Sequence, residues 1–403
     1  MHIAVFLQHY HTPDCPTAAR PYALVERLGR DHDVTVITTR AWEDTRQAHR
    51  FPWAPPGVDL VRFDVPYDNS MSAPKRLQAF LHYAGQALRH GLRMPRPDVI
   101  LGSSTPLTAA AVAGTVAQLR GLPWIFEVRD LWPAFPIQMG AVPDYGLHGP
   151  LRWGEAALYR SAARVVTLSP DMEQHVRVRA PEASVTTHAY GAGLRYLDKV
   201  GHAAREHISE RMSLDRPHLV LYAGTFGRAN AIPTLLDAAR RLTDARSDVL
   251  VAFAGQGHYA PRVKRAARRH DAIRRLSPLP YPETLALFER ADLSLVSFLD
   301  RPVLAANAPG KFVDSLAAGT PVVVTNPGWT KRFVERHACG WFVPPESPEA
   351  LAAQIQAVLA SPDVLAEAGR AAETAARRYF DREAMLNRYA ALVDDVAGSA
   401  LCP

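Results

Sequence analysis

The chain of 403 residues is too long for one ordinary hydrophobic core and fits two α/β units. With 48% hydrophobic and 21% charged residues, and no block of like charge or low-complexity tract, it has the composition of a folded globular protein and not of a disordered arm. The formal charge of +6 comes from arginines spread along the chain, without an aromatic-rich basic motif or a helix-turn-helix pattern, so nucleic acid is not expected as a partner.

The opening MHIAVFLQHYHTPD lacks the basic leader and cleavage site of a secretory signal and reads as a first strand. Further strands are expected at 34 to 38, 58 to 65, 99 to 103, 124 to 128 and 164 to 169, with helices at about 17 to 30, 76 to 93, 106 to 120 and 149 to 162 between them. The pattern then restarts. Strands are expected at 218 to 224, 249 to 255, 293 to 298 and 321 to 325, with helices near 231 to 243, 259 to 269, 282 to 291 and 311 to 318. Short apolar runs alternating with helices predict parallel sheets with crossover helices, hence two doubly wound α/β units. Residues 191 to 216 are polar, contain paired glycines and offer no strand, and are read as the linker; residues 361 to 396 have helical patterning. No stretch approaches the roughly 20 apolar residues of a membrane-spanning helix. The segment RLQAFLHYAGQALRHGLRMPR (76 to 96) has the make-up of an interfacial helix, and equally of a helix packing one apolar face on a sheet. Cys15, Cys339 and Cys402 are scattered and odd in number, which predicts neither a disulfide framework nor a zinc cluster and makes a reducing cytosol the simplest compartment.

In open α/β sheets ligands bind at the carboxyl ends of strands, where loops and helix N-termini present backbone N–H groups. After the strand at 218 to 224 comes GTFGRANAI, in which Gly224, Thr225, Gly227 and Arg228 suit a diphosphate. This is not a GxGxxG fingerprint, and the first loop, QHYHTPDCPTAAR, has none either, which disfavours a nicotinamide-dependent dehydrogenase. Gly255 and Gly257 in AGQGHY leave room for a ligand or for a neighbouring loop. In AANAPGKFVDSLAAGTPVVVT, Pro309 and Lys311 sit at the start of a helix, so a cation and a helix N-terminus share one place, and Asp314 one turn on can accept hydrogen bonds from ribose hydroxyls. The plain alternatives are a solvated Lys311 and an Asp314 that only favours the helix dipole. Arg129 and Asp130 follow the strand WIFEV directly, either as ligand groups or as a local ion pair; Ser103, Ser104 and Thr105 close another strand and either contact a ligand or cap the next helix.

The phrases VDSLAAGTPVVVT, CGWFVPPESPEALAAQI and YAGTFGRANAIPTLLDAA resemble the second domain of family 4 retaining glycosyltransferases, and EVRDLWP (127 to 133) resembles the subgroup of fucosamine and related amino-sugar transferases of bacterial surface polysaccharides. The resemblance extends over nearly the whole chain. It implies a GT-B fold: a Rossmann-like acceptor-side domain over 1–195, a linker over 196–216, a nucleotide-sugar-binding domain over 217–378, and a C-terminal helix over 379–403 crossing back to the first domain. It places Asp314 where the family has its second motif glutamate, on the donor ribose. The first motif glutamate falls at Ala306, and the usual arginine and lysine of the diphosphate clamp fall at Thr225 and Asn230, so Arg228 and Lys311 are taken as the cations. Leu279 to Tyr281 is where the family places the base, with Tyr281 either stacked on it or packed internally. Thr17 and Arg20 belong to the loop before the first helix, made stiff by Pro13 and Pro16.

The activity implied is transfer of a sugar from a nucleotide-diphosphate sugar, UDP-sugar favoured, to a saccharide or lipid-diphosphate-linked acceptor, with retention of configuration. No cofactor or metal is called for, because Arg228, Lys311 and helix dipoles can stabilise the leaving diphosphate, with Asp130 the third residue given a catalytic place. A cytoplasmic protein, with peripheral contact at the inner membrane face, is expected. Three other readings stay open. An inverting enzyme would use Asp130 or His11 as base, Ala306 is compatible with a weakly catalytic donor-binding subunit, and an epimerase would act on the donor alone.

Overall fold

The computed structural model describes residues 1–13, 15, 20–41, 51–67, 71–104, 106–143, 145–194 and 208–399. Two parallel sheets form the frame. The first has seven strands, β1 (His2–Phe6), β2 (Asp33–Thr39), β3 (Val58–Phe63), β4 (Val99–Ser103), β5 (Trp124–Val128), β6 (Arg164–Thr167) and β7 (Val185–Thr187), in the order β3-β2-β1-β4-β5-β6-β7. The second has six, β8 (His218–Ala223), β9 (Val249–Ala254), β10 (Ile273–Leu276), β11 (Leu293–Val296), β12 (Val322–Val324) and β13 (Gly340–Phe342), in the order β10-β9-β8-β11-β12-β13.

The central strands β1, β4, β5, β9 and β11 are covered by helices on both faces, which is why they read as apolar runs and not as alternating patterns. The strands that the apolar pattern missed, β7, β10 and β13, are short and lie at sheet edges, where burial asks less of the sequence. Helices Ala134–Gln138, Pro170–Arg179, Pro302–Ala305, Trp329–His337 and Pro348–Leu359 were also missed, the first and third being only one turn long. In both sheets strand order reverses beside the first strand, between β1 and β4 and between β8 and β11. A crevice forms at such a switch point, and it fixes where a ligand can sit.

The stretch expected to be helical from 361 to 396 is two helices, Pro362–Tyr379 and Arg382–Ser399. The second leaves the second sheet's layer and packs Tyr389, Ala390, Val393 and Val396 against Ile3, Val5, Leu24, Val25 and Leu28 around the first sheet. The chain passes over at Gly191 and Ala192: Ala192 N donates to Phe380 O at 2.9 Å, and a Cβ on Gly191 would lie 2.5 Å from Arg382 Cα. Further along the seam, Ser169 Oγ donates to Ala306 O at 2.6 Å and Val303 N to Gln138 Oε1 at 2.9 Å. Trp329 N donates to Asp171 at 2.9 Å, and Arg332 pairs with the same carboxylate. Much of the expected linker, 195 to 207, lies outside the described residues.

Candidate active site

The loop after β8 is folded onto the loop after β9. Gly224 N donates to Ala254 O at 2.9 Å and Phe226 N to Gln256 O at 2.7 Å. Gly255 has φ +148°, and a Cβ there would lie 2.0 Å from Gly224 O; one on Gly257 would lie within 3.0 Å of the Phe226 backbone. These two glycines therefore serve the neighbouring loop, one of the two uses open to them from the sequence. Gly224 itself faces Lys311, whose Nζ is 3.3 Å from where a Cβ would stand.

Lys311 is the second residue of the helix Gly310–Ala317, and Pro309 ahead of it supplies no side-chain cap. Its ammonium donates to Tyr222 Oη at 2.9 Å and to Asn230 Oδ1 at 3.2 Å, lying 4.2 Å from the Tyr222 ring centre and 5.5 Å from that of Phe298. Tyr222 Oη in turn donates a hydrogen bond to Thr225 O at 2.9 Å. No carboxylate among the described residues pairs with the ammonium, and burial pushes its pKa down to about 7. An anion placed here would find a cation whose charge it restores, beside the free N–H groups of a helix start. Arg228 sits exposed in the short 3-10 turn Arg228–Asn230 at the mouth of the loop, without an ion pair among the described residues.

Asp314 is buried at 5% exposure, one turn further along the same helix. It is not a first-turn acid facing water. Tyr281 Oη donates to its Oδ1 at 2.7 Å, and the same oxygen of Tyr281 accepts from Arg382 Nη2 at 2.6 Å and from Gly193 N at 3.3 Å. Burial raises the Asp314 pKa to about 6, against the lowering pull of Arg382 and of the Tyr281 hydrogen bond. The guanidinium of Arg382 lies 5.0 Å from the Tyr281 ring centre. Tyr281 thus stands behind Asp314 as its support, while Leu279 lies partly buried two residues earlier.

Across the cleft, Ser104 Oγ accepts from Arg129 N at 3.0 Å and Asp130 N at 3.4 Å and donates to Asp130 O at 3.0 Å, fixing the turn after β5. The Arg129 side chain makes no ion pair with a carboxylate among the described residues, so the local Arg129–Asp130 pair considered from the sequence does not form. His9 and His11, at the carboxyl end of β1, are held neutral, their pKa lowered to about 3 by burial first and by the charge of Arg129. His9 opens a line of rings: to Tyr67 at 4.4 Å, from Tyr67 to Phe80 at 5.8 Å, and from Phe80 to Trp132 at 6.1 Å. Arg20 is turned inward: it pairs with the buried Glu127 at 3.1 Å and donates to Ala189 O and His188 O. Thr17, Thr105 and Pro16 lie outside the described residues. Among the described residues no group of three or more His, Cys, Asp or Glu could hold a metal ion.

The structure thus brings Gly224, Lys311 and Asp314 to one end of the second sheet, with Thr225, Gly227 and Arg228 in the same loop, and sets Arg129 and Asp130 on the facing domain. Tyr222, Asn230, Tyr190 and Arg382 also belong to this place. Asn230 and Tyr222 lie within phrases that carried the resemblance, but nothing in the sequence tied Arg382, from the far end of the chain, to residue 281.

The two doubly wound parallel-sheet domains have the GT-B architecture. Residues 17–191 match the family described as "Glycosyl transferase 4-like domain" and residues 205–376 the one described as "Glycosyl transferases group 1", so both halves of the chain are glycosyltransferase domains and the chain is a glycosyltransferase. It is 25% identical over 350 residues to the putative colanic acid biosynthesis glycosyl transferase WcaI of Escherichia coli, covering 81% of each chain. Among solved structures it resembles sucrose-phosphate synthase of Thermosynechococcus elongatus, with a TM-score of 0.74, 19% identity and 99% of each chain covered. It also resembles Anabaena HepE in complex with UDP-glucose, with a TM-score of 0.69, 14% identity, 98% of this chain and 100% of that one.

Proposed function

We propose that this glycosyltransferase takes its sugar from a nucleoside-diphosphate donor, UDP-sugar first, and passes it with retention of configuration to a saccharide or lipid-diphosphate-linked acceptor of a cell-surface polysaccharide. The observation that carries the reading is the meeting of Lys311 and Asp314, one turn apart on a helix whose start opens onto the switch point of the second sheet. The diphosphate leaves as negative charge builds on its bridging oxygen, and Lys311, the helix N-terminus and Arg228 stabilise that charge. Asp314 accepts from the ribose hydroxyls. Asp130 faces the transferred sugar or the acceptor, and the departing phosphate takes the acceptor's proton on the same face.

The UDP-glucose held by HepE supports a UDP-sugar donor, and the colanic acid role in the name of WcaI supports a polysaccharide product. The likeness of EVRDLWP to the amino-sugar transferases favours an amino sugar. Contact with an anionic membrane face is supported by the helix Ala73–Arg93, which carries Lys75, Arg76, Arg89 and Arg93, no acid, and exposed Leu77 and Leu81. Incubation with a panel of UDP-, GDP- and ADP-sugars, reading binding, slow hydrolysis and the anomeric configuration of any product, tests the reading. Preference for a UDP-sugar and a retained anomer are expected; an inverted product would make Asp130 or His11 the base and refute the retaining mechanism.

A further inference from the structure

Tyr190 is buried to 6% exposure, yet its hydroxyl has no hydrogen-bond partner among the described residues. It follows β7 on the first domain and lies against the start of the helix Gly310–Ala317 on the second: a Cβ on Gly310 would be 3.4 Å from Tyr190 Cε1 and Cζ and 3.7 Å from Oη. That helix start has no side-chain cap. A buried hydroxyl without a hydrogen-bond partner among the described residues and the free N–H groups of a helix start therefore lie side by side, with the Asp314 carboxylate as the charge acting most strongly on the hydroxyl, and an anion at the helix start would satisfy both sets of donors. Arg129 completes the arrangement. Its backbone is pinned by Ser104, its guanidinium has no carboxylate partner among the described residues, and its charge reaches His9, His11 and Tyr190. Arg20, which also approaches the Tyr190 ring, is already committed to Glu127 and two carbonyls.

We propose that Arg129 and Tyr190 of the first domain bind the donor diphosphate where it sits at the start of the helix Gly310–Ala317, so that the diphosphate bridges the two domains. This rests on the reading of that helix as the phosphate end of the donor site. Lys311 carries only part of a charge near neutral pH and Arg228 lies exposed at the mouth of its loop, whereas the Arg129 guanidinium is always charged and matches phosphate with two parallel N–H groups. Burial holds the Tyr190 proton in place, its pKa pushed up to about 12, so the hydroxyl enters as a donor.

Calorimetric titration of uridine, UMP, UDP, GDP and ADP into the wild-type chain and into Arg129→Gln, Arg129→Lys and Tyr190→Phe tests this. UDP affinity should fall about 10- to 50-fold in Arg129→Gln and about 3- to 10-fold in Tyr190→Phe, uridine affinity should stay as it is, and Arg129→Lys should recover part of the loss. Unliganded thermal unfolding of Tyr190→Phe and Arg129→Lys, measured alongside, separates lost contacts from a lost fold. If the wild type binds UDP and both Arg129→Gln and Tyr190→Phe bind it within twofold, the cross-domain contact is refuted while the donor site stands. If the wild type binds none of the nucleoside diphosphates, the donor site itself is refuted and the contact with it.

Discussion

The Tyr281 hydroxyl donates a 2.7 Å hydrogen bond to Oδ1 of Asp314. Arg382 and the backbone N–H of Gly193 both donate to that same hydroxyl oxygen, so its single proton is committed to the carboxylate. A residue proposed to hold the donor ribose is thereby held by a chain that begins in the helix returning to the first domain and touches the crossover at Gly191, whose carbonyl accepts from Arg382 Nε at 2.9 Å.

Tyr281→Phe keeps the ring and removes the link. It should weaken donor binding by about 5- to 20-fold, the ~1–2 kcal/mol of a buried hydrogen bond to a charged group, with turnover at saturating donor less affected. Titration of UDP into the variant checks this; unchanged affinity would mean that Asp314 is positioned without Tyr281.

Asp314→Asn should have opposite effects on binding and stability. Burial raises the carboxyl's pKa from 3.8 to about 6, so ionisation is disfavoured in the folded chain. The stability tied to the neutral form is complete below pH 3.8 and is lost as pH rises through about 6. The asparagine variant should therefore gain about 1–3 kcal/mol over wild type at pH 8 and nothing at pH 4, while losing donor affinity. Denaturant unfolding at the two pH values measures the first quantity and UDP titration the second.

Lys311, depressed to about 7, is largely neutral at pH 8 in the unliganded chain. A diphosphate beside it should raise that pKa, so binding of UDP at pH 8 should take up a proton. The observed binding enthalpy should then vary with the ionisation enthalpy of the buffer, and Lys311→Met should abolish the dependence. A wild-type enthalpy independent of buffer would place the phosphates away from Lys311.

Arg20→Ala leaves Glu127 buried without its cation and frees the carbonyls of residues 188 and 189. The loss expected is about 3–5 kcal/mol in unfolding free energy, read by denaturant titration at pH 7. A loss of stability below about 1 kcal/mol with a large rise in the donor KM would instead assign Arg20 to the ligand.

The strands at the middle of each sheet were legible because burial on both faces leaves an apolar run in the sequence; the glycine at 224 was legible because it follows a strand, and the cation at 311 because it opens a helix. Position 281 was legible only as a tyrosine near the donor. Its partner at 382 comes from 101 residues away, and only the return of the last helix brings them together. Arg20 shows the same limit from the other side, since an arginine in a loop before a helix looks free until the carboxylate at 127, two strands away in the sheet order, is seen to claim it. Tyr190, on the short edge strand's loop, had no pattern around it to mark it.

The most direct test of the account is steady-state transfer by wild type and Lys311→Ala, using the donor identified from the nucleotide-sugar panel. With Lys311 at the leaving diphosphate, kcat/KM should fall by about 10²–10³ while the unfolding midpoint of the unliganded chain is unchanged or slightly raised. A variant within threefold of wild type would contradict the assignment of the phosphate site, and with it the claim that the start of the helix Gly310–Ala317 receives the donor.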